Sequence, residues 1–314
     1  MGKRVALVLG SGGARGYAHI GAIEAIEQRG YSIACIAGCS MGAVIGGVYA
    51  AGKLPEYRRW IESLAYFDLL RLLDPSFTMG AIRGDKVFGR LRDMVGPCNI
   101  EDLPLPYTAV ACDLTNRQEV WFQEGCLHQA MRASAAIPSL FTPVLQGHRV
   151  LVDGGLLNPL PIIPVVSSHC DLIVAVNLNA SSPHSPTEVR SEPTARPQKN
   201  WMNAMPWRRH TLKGNAVISP EEALIPEELD LLPRALGPNS LFALVNQSFE
   251  LMQTSLTQYK IAGYPPDIVI NIPRKASGFF DFHKATGLIE LGRASATEAL
   301  SRYEASLSNG FSMA

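Results

Sequence analysis

The stretch "YSIACIAGCSMGAVIGGVYAAG" (residues 31–52) decides how the rest of the chain is read. Residues 32–38 form a short apolar run, which predicts a buried strand. Residues 41–52 are small and apolar and end at Gly52, which predicts a tightly packed helix with a glycine stop. Between them, "GCSMG" sets Ser40 between Gly38 and Gly42. One use of such a segment is a tight turn that needs small residues. The other is a nucleophile: a Gly-x-Ser-x-Gly turn from strand to helix projects the hydroxyl at the strand's carboxyl end, beside the first amides of the helix. The pattern alone does not choose between them, so a base and an oxyanion site must be sought elsewhere.

Upstream, "RVALVLG" (4–10) is a second apolar run ending in glycine, and "YAHIGAIEAIEQRG" (17–30) has helical spacing with a stop at Gly30. Strand–helix–strand–helix predicts an α/β fold with a sheet covered on both faces. Downstream, helices are expected within 55–73 and over 84–95 and 127–136. A hairpin is expected from 107–114 and 118–125, with strands at 149–155, 171–180 and 266–273 and a last long helix at 282–303. Pro161 and Pro164 in "PIIPVVSSH" (161–169) suit a first helical turn. Residues 181–238, rich in Ser, Pro and Thr at their start, carry no periodicity and predict a mobile insertion. The expected organisation is a catalytic core over 1–180, the insertion over 181–238, and a helix–strand–helix segment over 239–314 that completes the core.

The bulk numbers narrow the function. Lys and Arg number 28 and Asp and Glu 28, so the net charge is zero and no field favours nucleic acid. Six cysteines (35, 39, 98, 112, 126, 170) lack Cys-x-x-Cys spacing, which argues against a metal site or a disulfide framework. No secretory apolar region follows Lys3 and Arg4. The most apolar stretch, 33–52, is broken by five glycines and predicts no membrane span. A cytoplasmic protein without metal or cofactor is expected.

"GSGGARG" (10–16) has two readings. A dinucleotide cradle needs Gly-x-Gly-x-x-Gly, but here the last glycine comes one residue late, at Gly16, and no carboxylate lies in the strand that should bind the ribose. The other reading is an oxyanion loop: Gly12 and Gly13 can turn N–H groups inward, and Arg15 adds positive charge or ties the loop down. "VDGGLLNPLP" (152–161) places Asp153 at the end of an expected strand before two glycines. Asp-Gly-Gly also reads as a plain turn, but together with a strand-end serine and a glycine loop the combination is more specific than its parts.

Together "GSGGARGYAHIGAIEAI", "GCSMGAVIGGVYAAG", "ASAAIPSLFTPV" and "LVDGGLLNPLP" resemble the patatin-like phospholipase family, in its bacterial cytoplasmic branch. The resemblance runs in order over residues 4–180 and weakens beyond. It implies a three-layer α/β/α sandwich with a mainly parallel central sheet. It implies a Ser–Asp dyad, with Ser40 the nucleophile, Asp153 the base and the amides of Gly12, Gly13 and Ala14, with Arg15 beside them, the oxyanion site. The family often opens its glycine motif with Gly-Gly-Gly, where this chain has Ser11. The implied reaction is hydrolysis of fatty-acyl esters of phospholipids or lysophospholipids through an acyl-serine. An acyltransferase using the same intermediate, or a non-catalytic protein keeping the fold, are the rival readings.

Seven histidines offer an alternative base. His169 or His283 would serve in a Ser–acid–His order, and His19 lies one turn past the glycine loop. Two stretches suit lipid: the apolar 63–82, as an acyl channel or a membrane contact, and "WMNAMPWRRHTLKG" (201–214), whose tryptophans and basic residues suit a membrane interface. Peripheral membrane contact is therefore a further expectation. The sequence sets no oligomeric state.

Overall fold

The computed structural model describes residues 2–64, 74, 82–138, 140–180 and 241–311. By its internal packing the chain divides into two units, one of Met1–Ser182 with Val245–Ala314 and one of Pro183–Leu244. Almost all of the second lies outside the described residues, as do the insertion expected over 181–238, the stretch 201–214 and most of 63–82.

The first unit opens β1 (Arg4–Leu9), α1 (Ala18–Gln28), β2 (Ser32–Cys39), α2 (Met41–Ala50) and α3 (Leu54–Ser63), as the glycine punctuation and apolar spacing predict. There follow α4 (Asp85–Val95), β3 (Tyr107–Asp113), β4 (Gln118–Phe122), α5 (Leu127–Ser134), β5 (Val144–Gln146) and β6 (Arg149–Asp153). The chain closes with β7 (Leu172–Ala180), α6 (Leu241–Gly263), β8 (Ile268–Pro273) and α7 (Ala285–Phe311). Pro161–His169 departs from expectation: it holds only a 3-10 turn, Ile163–Val165. Pro164 inside that turn has no N–H to give, and it restricts the residue before it, so the turn does not propagate.

The eight strands form one sheet with the hydrogen-bonded path β5-β6-β3-β2-β1-β7-β8, and β4 paired to β3. Strands β2, β1, β7 and β8 are parallel, as are β2 and β3, while β4, β5 and β6 run antiparallel to their neighbours. Alternation along β1 sets the two faces. Val5, Leu7 and Leu9 face a large core with Ile20, Ile23, Ile45, Met131 and Ile289 of the helices. Ala6 and Val8 face a thinner layer with Leu160, Ile162 and Val165, against which Ile261 of α6 packs. The result is the expected α/β sandwich, thick on one side and thin on the other. Among the described residues no helix is long and apolar enough to cross a membrane.

One feature of the pairing sets up the site. Residues 109 and 110 of β3 pair with both β2 and β4, and residues 111–113 pair with both β4 and β6. A strand has two edges, so β2 and β6 share the edge opposite β4, one after the other. Cys39 lies opposite Val110 and Asp153 opposite Ala111. Two strands running in opposite directions thus meet head-on at their carboxyl ends.

Candidate active site

Ser40 follows β2 as the N-cap of α2, with φ 57° and ψ −125°, a strained conformation for a residue with a side chain. The flanking glycines make it possible. A Cβ on Gly38 would lie 2.4 Å from Gly42 O, and one on Gly42 would lie 2.1 Å from Leu9 O. The turn is also braced from outside. Ser40 N donates to Ser134 Oγ at 2.9 Å, and Ser134 Oγ donates to Val110 O at 2.6 Å. Ser134 therefore ties the turn to α5 and β3. Sequence reasoning gave it no role, although it lies inside the quoted "ASAAIPS" segment.

Asp153 is fully buried, and its backbone N–H donates to Ala136 O at 2.9 Å. Oδ1 accepts from Gly155 N at 2.7 Å and lies 3.9 Å from Cys39 Sγ, while Oδ2 has no hydrogen-bond partner among the described residues. Burial pushes the carboxyl up from its ordinary 3.8 to about 7; the Ser40 hydroxyl, the Gly155 amide and the Cys39 thiol pull it partly back. The hydroxyl is thus close enough to favour the carboxylate, although the two stop short of a well-formed hydrogen bond. The structure brings Ser40 and Asp153 together.

The glycine loop leaves β1 at the same end of the sheet. Gly10 N donates to Val176 O and Ser11 N to Pro159 O, at 3.1 and 2.8 Å. A Cβ on Gly16 would lie 2.0 Å from Met41 Cγ, so the loop rests directly on the first residue of α2. Among the described residues the amides of Gly12 and Gly13 have no carbonyl partner, and Gly13 has φ 57°.

The other two expected oxyanion residues are differently engaged. Ala14 N donates to Phe279 O at 2.9 Å, so in this conformation that amide is already used. Arg15 is 1% exposed, and its guanidinium bonds Glu250 Oε1 at 3.0 Å and Ser277 O at 3.2 Å. It ties the loop down; its charge is matched by Glu250.

The histidines separate. His169 precedes β7, at the amino ends of the parallel strands, opposite the carboxyl ends that carry Ser40. His283 is exposed on the 3-10 turn before α7. His19 is fully buried with Nε2 2.8 Å from Gly10 O, which makes Nε2 the protonated nitrogen; Nδ1 has no partner among the described residues. Burial pulls its imidazole down to about 4, against the smaller effect of the Gly10 carbonyl. None of the three is among the groups bonded to Asp153.

A family model described as patatin-like phospholipase matches residues 7–166. An uncharacterized NTE family protein of Mycobacterium tuberculosis is 40% identical over 336 aligned positions, covering 96% of this chain and 92% of that protein. The lysophospholipase NTE1 of Saccharomyces cerevisiae is 29% identical over 196 positions, 60% of this chain and 11% of that much longer protein. The neuropathy target esterase sws of Drosophila persimilis is 32% identical over 169 positions, 51% of this chain and 12% of that one. Among solved structures, VipD from Legionella pneumophila superposes with a TM-score of 0.50 at 15% identity, covering 96% of this chain and 67% of that one, a likeness of fold. The chain belongs to the patatin-like phospholipase family.

Proposed function

We propose that this protein hydrolyses fatty-acyl esters of phospholipids or lysophospholipids through a Ser40–Asp153 dyad. The observation that carries the reading is the head-on meeting of β2 and β6, which sets a strained serine beside a buried carboxylate with one oxygen unpartnered among the described residues. A base works best with a pKa near the working pH, and a carboxyl held at about 7 meets that condition where an ordinary aspartate would not.

The chemistry follows from these positions. Asp153 takes the proton of Ser40 as Oγ attacks the ester carbonyl. The amides of Gly12 and Gly13 receive the oxyanion, with the first turn of α2 adding its positive end. The tetrahedral intermediate collapses, the C–O bond to the alcohol breaks, and Asp153 returns the proton to the leaving oxygen. Water then attacks the acyl-serine with Asp153 again as base, releasing the fatty acid and regenerating Ser40. The NTE names of the relatives, among them a lysophospholipase, support a lysophospholipid substrate.

The test combines a fluorophosphonate probe with product analysis. The intact protein should be labelled on Ser40 and should release free fatty acid from lysophosphatidylcholine vesicles. Ser40→Ala should lose both, and Asp153→Asn should lose turnover while keeping its fold by circular dichroism. Full turnover in either variant refutes the dyad.

A further inference from the structure

The two amides assigned to the oxyanion sit on a glycine loop, and such a loop has little rigidity of its own. An oxyanion site works by preorganisation, because donors that must be ordered during the reaction contribute less. Something must therefore hold Gly12 and Gly13 in place, and the structure points to α6.

Helix α6 touches the loop on both sides of the pair. Before it, Gln253 Nε2 donates to Ser11 Oγ at 2.9 Å. After it, Glu250 Oε1 accepts from Arg15 Nη2 at 3.0 Å. Glu250 and Gln253 stand three residues apart, which puts them on one face of the helix. Arg15 transmits this hold, because it belongs to the same 3-10 turn, Gly13–Tyr17, as Gly13 itself. Its guanidinium is buried, and among the described residues its Nε has no partner and its hydrogen bonds go to Glu250 and Ser277 O alone. A buried cation with so few partners depends strongly on its carboxylate. The helix is in turn fixed to the sheet by Lys260, whose Nζ lies 3.1 Å from Glu119 Oε1 on β4. Glu250 and Gln253 lie outside residues 7–166, the part of the chain matched to the family.

We propose that Glu250 is a positioning residue for the hydrolysis: acting through Arg15, it holds the Gly12 and Gly13 amides where the oxyanion forms. The proposal rests on the reading of Ser40 as nucleophile given above. Gln253 does the same from the other side, through Ser11.

The test measures turnover of p-nitrophenyl butyrate per active site, with sites counted by fluorophosphonate labelling carried to completion. Counting sites separates positioning from folding, since a purely structural residue changes the number of active molecules and not the rate of each. Glu250→Ala should lower kcat per site at least tenfold, with KM changed less than threefold. Glu250→Gln keeps an acceptor oxygen for the guanidinium and should be at least threefold faster than Glu250→Ala. A loss below fivefold in Glu250→Ala, or equal rates in the two variants, overturns the proposal. Should Glu250→Ala fail to fold, Gln253→Met decides: a loss of fivefold or more per site supports the proposal, and a smaller one overturns it. A parent protein that takes no label on Ser40 removes the underlying reading as well. A labelled and active parent with a fully active Glu250→Ala removes only the role of Glu250.

Discussion

Replacing Asp153 with Asn should make the protein's stability less sensitive to pH, and the size of the effect can be worked out. In the unfolded chain the carboxyl ionises around its ordinary 3.8; in the folded protein, burial holds it at about 7. Between those values the native state keeps a proton that the unfolded chain has released. Rising pH therefore favours unfolding across this window, starting near 4 and levelling off above 7. Integrated from about pH 5 to about pH 8, the linkage amounts to about 2.5 kcal/mol lost by the parent. Asparagine does not titrate, so this loss disappears in Asp153→Asn. The new amide group takes the place of the unpartnered Oδ2 and has its own cost or gain, but that contribution is independent of pH. Urea unfolding of parent and variant at the two pH values isolates the linkage as a double difference. A double difference below about 0.5 kcal/mol would mean that the carboxyl is not held protonated by the fold, and the account of it as a neutral-pH base would fail with it.

Three further outcomes follow from other residues. Gly42→Ala forces a Cβ to 2.1 Å from Leu9 O and should cost about 3 kcal/mol or more, whereas Gly89→Ala, with open space around it, should gain up to about 1 kcal/mol; thermal melts of the pair compare them. Ser134→Ala leaves Ser40 N and Val110 O without their bridge, so stability should fall by about 1–3 kcal/mol and esterase kcat should fall with it, as read by calorimetry and turnover. His19 stays neutral in the fold, so the protein should lose stability as pH drops from about 6.5 toward 4; His19→Gln should remove about 2 kcal/mol of that loss between about pH 7 and 5, measured by urea unfolding.

The early part of the fold was legible because glycines mark its boundaries. Gly10, Gly30, Gly38 and Gly52 close elements whose apolar spacing already states their type, and β1, α1, β2 and α2 lie where the spacing puts them. The proposed pairing of Ser40 with Asp153 was legible as a resemblance, while the meeting of β2 with β6 was not. A run such as "RVLVD" states that a strand exists but not its direction, so nothing local reveals that β6 runs against β3 and meets β2 end to end. The strand Val144–Gln146 was missed because three residues, two of them exposed, leave no period to read. The engagement of the Ala14 amide was hidden for a similar reason. Its amide is taken by Phe279 O, far along the chain in a segment with no motif, and only folded contact discloses it. Arg15 was foreseen as either a charge or a tether, and its partner Glu250 decides for the tether.

The strand that carries neither Ser40 nor Asp153 governs their separation. Because β2 and β6 abut along a common edge of β3, the seven residues Tyr107–Asp113 act as a measuring rule laid beneath both. Deleting one residue of that rule would slide Asp153 by about 3.4 Å along the edge and turn its side chain toward the opposite face, without changing a residue of the Ser40 turn or of the glycine loop. The length of β3 is therefore a constraint on the site that sits apart from the loops themselves, which are held by contacts of their own.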